Sequence, residues 1–148
     1  MSDYDEELIN ALENENNESI MELTSSKIKS IKNDILQKLQ MSNEKLKDMH
    51  IKLKEYRYID DINNINCGCY IRWFNLKDIT PENVNDLTPK LGAFVTDIRV
   101  TNNGILISCV NIFKKHIAIR FDEHLIFQKI TIQERVMLKV LDHLQKKN

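Results

Sequence analysis

The hydrophobic pattern of this chain changes period once, near residue 60, and the change confines it to a helical N-terminal part followed by a β-rich remainder. Up to Tyr56, apolar residues recur at spacings of three and four: Met21, Ile28, Ile31 and Ile35, then Leu39, Leu46, Met49, Leu53 and Tyr56. From Asn63 onward they alternate with polar residues or run in β-branched blocks. Three glycines and two prolines are all that punctuate 148 residues, so long uninterrupted elements are expected.

The helical part reads as a coiled-coil seam over residues 20–58. Met21, Ile28 and Ile35 at position a put Thr24 and Ile31 at d; after a four-residue stutter, Leu39, Leu46 and Leu53 take a, with Ser42, Met49 and Tyr56 at d. The stripe is narrow and faces Lys, Glu, Asn and Ser, the pattern of association between chains; the other reading is a long helix folded back on its own domain. Met21, Ile28, Ile31, Ile35, Leu39, Leu46, Met49, Leu53 and Tyr56 are therefore the candidate oligomerisation residues, in a homodimer or a homotrimer. Lys38, Lys45 and Lys52 occupy g, while Asn43, His50 and Arg57 occupy e, so no pairing of opposite charge sets the register. Polar Thr24 and Ser42 in the core could do so, and the lysine stripe is left for an acidic partner, nucleic acid or solvent.

Charge follows the same division. Residues 1–23 hold eight acids (Asp3, Asp5, Glu6, Glu7, Glu13, Glu15, Glu18, Glu22) and no Lys or Arg, an acidic arm expected to be flexible over 1–19. Residues 24–57 carry nine Lys and Arg against four acids, and 58–148 carry twelve against ten, so the positive excess belongs to the helix. No run approaches the ~20 apolar residues of a membrane span, and the acidic N-terminus is the opposite of a cationic signal peptide. A soluble, intracellular protein without membrane contact is expected, its cysteines (Cys67, Cys69, Cys109) reduced.

Beyond Asn63 five strands are predicted: Cys69–Leu76, Gly92–Val100, Gly104–Ile112, His116–Phe121 and Leu125–Ile130. Asn103-Gly104 predicts a type I′ hairpin, which needs positive φ at two consecutive residues. Ile79–Pro89, with both prolines, reads as one long loop. Five short strands bury their faces most economically by curling into a small SH3-like antiparallel barrel. Thr131 and Glu134 fit a capping box opening a last helix, with Met137, Val140, Leu141 and Leu144 on one face to cover the barrel. The expected fold is α+β: an acidic arm (1–19), a long N-terminal coiled-coil helix (20–58), and a five-stranded barrel with a C-terminal capping helix (63–148).

Catalytic signatures are missing from the sequence. Cys67-Gly68-Cys69 has no second pair at zinc-ligand spacing, and His50, His116 and His124 fall on unrelated elements. There is no GxGxxG, P-loop, HExxH or GxSxG. No enzymatic activity, metal or cofactor is expected. For nucleic acid, small barrels stack bases on aromatics beside cations, which singles out Arg72, Lys114 and Lys115 with the helical Lys38, Lys45 and Lys52. Alternation, however, splits Tyr70, Arg72 and Phe74 from Ile71 and Trp73, which leaves no single aromatic platform.

The stretch Gly68-Cys69-Tyr70-Ile71-Arg72-Trp73-Phe74-Asn75, then Leu91-Gly92-Ala93-Phe94-Val95, then Ile126-Phe127-Gln128-Lys129 resembles uncharacterised coiled-coil and small-β-barrel proteins of giant DNA viruses. There the order is Gly-x-Tyr-Ile-Arg, a Gly-Gly-Phe-Val step and an aromatic-Lys ending; Ala93 departs from the second glycine. The resemblance covers about residues 66–130, carries no active site, and implies a virion or viral-factory setting. The functional expectation is a non-enzymatic oligomeric scaffold that clusters small barrels for protein contacts; a nucleic-acid-binding protein using the basic helix is the alternative.

Overall fold

A computed structural model describes residues 24–147, so the acidic arm and Met21 lie outside the described residues. Three helices, α1 (Ser25–Gln37), α2 (Asn43–Lys52) and α3 (Ile132–Lys147), accompany six strands: β1 (Tyr56–Ile59), β2 (Tyr70–Asn75), β3 (Ala93–Thr101), β4 (Gly104–Val110), β5 (His116–Arg120) and β6 (His124–Lys129). Two compact units result. One comprises residues 32–129; the other is described over 24–31 and 130–147.

The long coiled-coil helix does not form. The chain leaves helix after Gln37, passes Gln40 in the left-handed region (φ 60°), and re-enters helix with Ser42 as N-cap, its side chain accepting from the Lys45 amide at 3.2 Å. Thr24 likewise accepts from the Lys27 amide at 3.2 Å at the start of α1. Both polar residues expected in a seam core are helix caps, the role in which a short hydroxyl satisfies an orphan backbone donor. Leu36, outside the a and d positions, is completely buried, whereas Ile31 at d is 40% exposed. The buried line of α1 runs Ile28, Lys32, Leu36 at a spacing of four, which is packing against the protein's own core rather than a heptad seam.

Lys32 hid that line from hydropathy. Its stem is buried, and its Nζ donates to the carbonyls of Leu53 (2.8 Å) and Tyr56 (3.1 Å), which lie just past the end of α2. The Leu53 carbonyl also accepts from the Tyr56 amide (3.0 Å), so the ammonium adds a charged donor where α2 passes into β1.

The sheet has six strands in the order β1-β6-β2-β3-β4-β5, every pair antiparallel, with β1 and β5 as its outer strands. It is an open sheet of six, not a closed barrel of five. The added strand, Tyr56–Ile59, pairs with β6 from Tyr56↔Lys129 to Ile59↔Ile126, and its first three residues fall within the helix that the spacing predicts over 20–58. Its Tyr-Arg-Tyr-Ile composition suits a pleated, half-buried surface better than a helix.

Both faces of the β1-β6-β2 half are buried. On one, Ile59, Ile71, Trp73 and Ile126 join Ala93, Val95, Ile107, Cys109 and Ile119 in a single cluster that draws on all six strands. On the other, Leu36 and Met49 from the helices and Leu53 just after α2 pack with Tyr56, Phe74, Leu125 and Phe127. Hence Leu125 to Gln128 in central β6 are all buried, as expected for a strand covered on both faces.

The hairpin at 101–104 forms where predicted, with Thr101 opposite Gly104, but its turn is not type I′. Gly104 has φ 117°, while neither Asn102 nor Asn103 is among the residues of positive φ. Thr101 Oγ1 instead accepts from the Asn103 amide (3.3 Å) and donates to the Gly104 carbonyl (2.7 Å), closing the turn through a side chain.

In the second unit, the capping box is present in full. The Thr131 amide donates to Glu134 Oε1 (3.0 Å) and the Glu134 amide to Thr131 Oγ1 (3.1 Å). Met137 and Leu138 of α3 pack with Ile28, and Asp142 Oδ1 accepts from the Ser25 amide (2.8 Å), a carboxylate at the positive end of α1. Val140 and Leu141 are half-buried, whereas Leu144 is exposed.

Candidate functional site

Of the residues expected to join chains, Met21 lies outside the described residues. Ile28 is buried against Met137 and Leu138; Met49, Leu53 and Tyr56 are buried on the sheet, with Ile35, Leu39 and Leu46 half-buried around them. Ile31 is left 40% exposed, and among the described residues these side chains do not line one continuous apolar seam.

The lysine stripe is also dispersed. Lys38 follows the end of α1, while Lys45 and Lys52 on α2 converge on Asp48 at 3.9 and 3.0 Å. Arg72 of β2 donates to the carbonyls of Lys90 (3.2 Å) and Pro89 (3.4 Å) and so ties down the segment leading into β3. Lys114 and Lys115 lie in the β4–β5 turn, on a different element from each of these.

Among the described residues no three His, Cys, Asp or Glu gather as metal ligands. Cys67 is exposed, Cys69 half-buried, and Cys109 buried in the core, where burial pushes its thiol up to about 11. His50 Nε2 lies 3.0 Å from Asn33 Oδ1, and His124 Nδ1 lies 2.7 Å from the Arg120 carbonyl, both local tethers. A cavity of ≈ 280 Å³ is lined by Asn75, Asp78, Asn83, Asp86, Thr88 and Lys90 with Phe74 and Leu87. Its two amides are occupied with turns: Asn75 Oδ1 accepts from the Lys77 amide (3.0 Å) and Asn83 Oδ1 from the Thr80 amide (2.8 Å). No nucleophile in that lining is hydrogen-bonded to a base, the arrangement that activation requires.

What the fold leaves open is backbone. β3 is nine residues long, but its pairing to β2 covers Ala93 and Phe94, and Val95 bonds to Cys69 and Gly68 at 2.9 and 2.7 Å. A register shift between Val95 and Asp97 then carries β3 past the end of β2. Thr96 to Thr101 keep β4 on one side and, among the described residues, have no strand on the other. Across a two-residue hairpin the pairs alternate, so Thr101, Arg99 and Asp97 face β4 with their backbone groups, whereas those of Ile98 and Val100 point to the open side. Val100 is 83% exposed. On the opposite face from Ile98, Arg99 Nε donates to Asp97 Oδ2 at 2.9 Å, and this bond, the largest influence on it, holds the Asp97 carboxyl below its usual range.

The other two edges differ. Tyr56, Arg57 and Ile59 of β1 are buried and Tyr58 is half-buried, so that edge is covered. β5 is open and exposes His116, Ala118 and Arg120. Sequence inspection missed the β3 edge because a strand's length says nothing about how far its neighbour extends; the alternation in Thr96-Asp97-Ile98-Arg99-Val100 was the visible signal. Among the described residues no helix is long and apolar enough to cross a membrane. Compared with protein-family models, curated proteins and solved structures, the chain finds no match, so the reading of its function rests on this geometry.

Proposed function

We propose that this chain is a non-enzymatic structural protein that assembles with a second copy of itself through the open half of β3. The observation that carries the reading is the order of charge along that edge. Antiparallel pairing about a two-fold axis at Ile98 sets Asp97 opposite Arg99 of the second copy and Arg99 opposite its Asp97, so one strand complements itself. The outward backbone groups of Ile98 and Val100 supply the new ladder. Edge strands are usually protected by charge, but here the charges oppose parallel or shifted pairing and favour one antiparallel register. β5 lacks this property: pairing about Ala118 would bring His116 against Arg120 of the other copy. A virion or viral assembly, the setting implied by the resemblance of residues 66–130, is where such a component would serve.

An interface of five residues a side, 96–100, lies at the small end of specific contacts, so association is concentration-dependent. Light scattering on the full chain tests it. Arg99→Asp and Asp97→Arg each set like charges across the axis and weaken association at least about tenfold, while the double exchange Asp97→Arg with Arg99→Asp restores it. A wild-type chain that stays monomeric at the highest attainable concentration, or a double exchange as weak as either single change, overturns the proposal.

A further inference from the structure

The turn joining β4 to β5, Asn111-Ile112-Phe113-Lys114-Lys115, exposes two large apolar side chains at its tip. Ile112 is 72% and Phe113 78% exposed. The turn is held in shape rather than loose: Asn111 Oδ1 accepts from the amides of Phe113 and Lys115, both at 2.9 Å, and the Asn111 amide donates to the Lys115 carbonyl at 3.0 Å. Lys114 is kept at φ 62°, a conformation that side chains other than glycine's adopt at a cost and that such a bracing network sustains. At its base, the register Tyr70↔Phe94, Phe94↔Val110, Val110↔His116 forms one cross-strand row, in which Phe94 is also exposed.

Charge around the tip has one sign. The segments 66–76, 89–96 and 108–118, which build this end of the sheet, contain Arg72, Lys90, Lys114 and Lys115 and no Asp or Glu. A second copy is therefore a poor occupant, since two such ends would bring lysines together. Lysine is depleted from protein–protein interface cores, and isoleucine offers no ring for base stacking. Protruding apolar side chains with flanking lysines are instead the pattern of a contact that sinks into the boundary of a lipid layer while ammonium groups meet anionic headgroups. A fluid surface also needs no matching pocket for a convex tip.

We infer that the β4–β5 turn is a membrane-surface anchor, with Ile112 and Phe113 entering the headgroup region and Lys114 and Lys115 contacting anionic lipid. This inference is independent of β3 pairing. Co-sedimentation of the full chain with phosphatidylcholine vesicles containing about 30% phosphatidylserine tests it, against vesicles of phosphatidylcholine alone. Wild type should partition onto the anionic vesicles, and both Ile112→Ser with Phe113→Ser and Lys114→Gln with Lys115→Gln should lower the partition coefficient at least about tenfold. In Phe113→Trp, fluorescence should shift to the blue on anionic vesicles while buried Trp73 gives a constant background. Binding to neither vesicle, unchanged binding in both double variants, or an unshifted Phe113→Trp spectrum overturns the inference. So does a duplex oligonucleotide that displaces the protein from vesicles and depends on the same four residues.

Discussion

Lys32 sits in the buried line of α1 and places its ammonium on two backbone carbonyls beyond the end of α2. Replacing it by methionine keeps most of the stem and removes both hydrogen bonds from the charged group, while the Leu53 carbonyl keeps the Tyr56 amide as a donor at 3.0 Å. Lys32→Met should therefore cost about 2–3 kcal/mol, the range for hydrogen bonds to a charged group, read as a lower urea midpoint at unchanged slope. A variant as stable as wild type would show that water satisfies those carbonyls. Cys109 gives a chemical test at the same scale. With its thiol raised to about 11, it is protonated at pH 8, so a thiol reagent should modify exposed Cys67 and leave Cys109 until the chain unfolds. Equal native reactivity of both would contradict the core described here. The sign of the shift also fixes alkaline behaviour. A raised pKa in the folded state contributes stability below the unfolded value and loses it as pH rises, so Cys109 with Tyr56 and Tyr58, raised chiefly by burial, should make stability fall from about pH 9 upward.

At the scale of elements, the two packings of α1 make opposite demands on neighbouring residues. A seam needs Ile31 and is indifferent to Leu36; packing on the sheet needs Leu36 and is nearly indifferent to Ile31. Leu36→Ala should cost about 2–5 kcal/mol and Ile31→Ala well under half of that, measured by denaturant unfolding. The reverse order would restore the seam. Much of the β region was legible because alternation is a two-residue signal, and five of the six strands lie within a residue or two of their predicted bounds. The capping box was legible because Thr131 and Glu134 carry both halves of it. The helical region misled for definite reasons. Spacings of three and four serve a coiled coil and an amphipathic helix alike, Thr24 and Ser42 can be read as polar core or as caps, and a buried lysine interrupts the line that would have decided between them. β1 was lost to the same pattern, since Tyr56 extends the helical spacing by chance while its neighbours Arg57, Tyr58 and Ile59 suit a strand.

At the scale of the whole molecule, the proposed association rests on β3 backbone that no strand among the described residues pairs. The residues expected to associate chains are largely consumed within the chain, the lysines expected to form a stripe are dispersed or matched to Asp48, and the open half of β3 carries a self-complementary order of charge. Association should be constant from pH 8 to 5 and weaken only below the ordinary carboxylate range, because Asp97 is held ionised there, first by its bond to Arg99. The most direct measurement is amide hydrogen exchange at single residues as a function of protein concentration. The account predicts that the Ile98 and Val100 amides, which point away from β4, exchange fast in dilute solution and gain protection as concentration rises, while the Arg99 amide, bonded to β4, is protected throughout. Ile98 and Val100 amides that exchange equally fast at every concentration would contradict it.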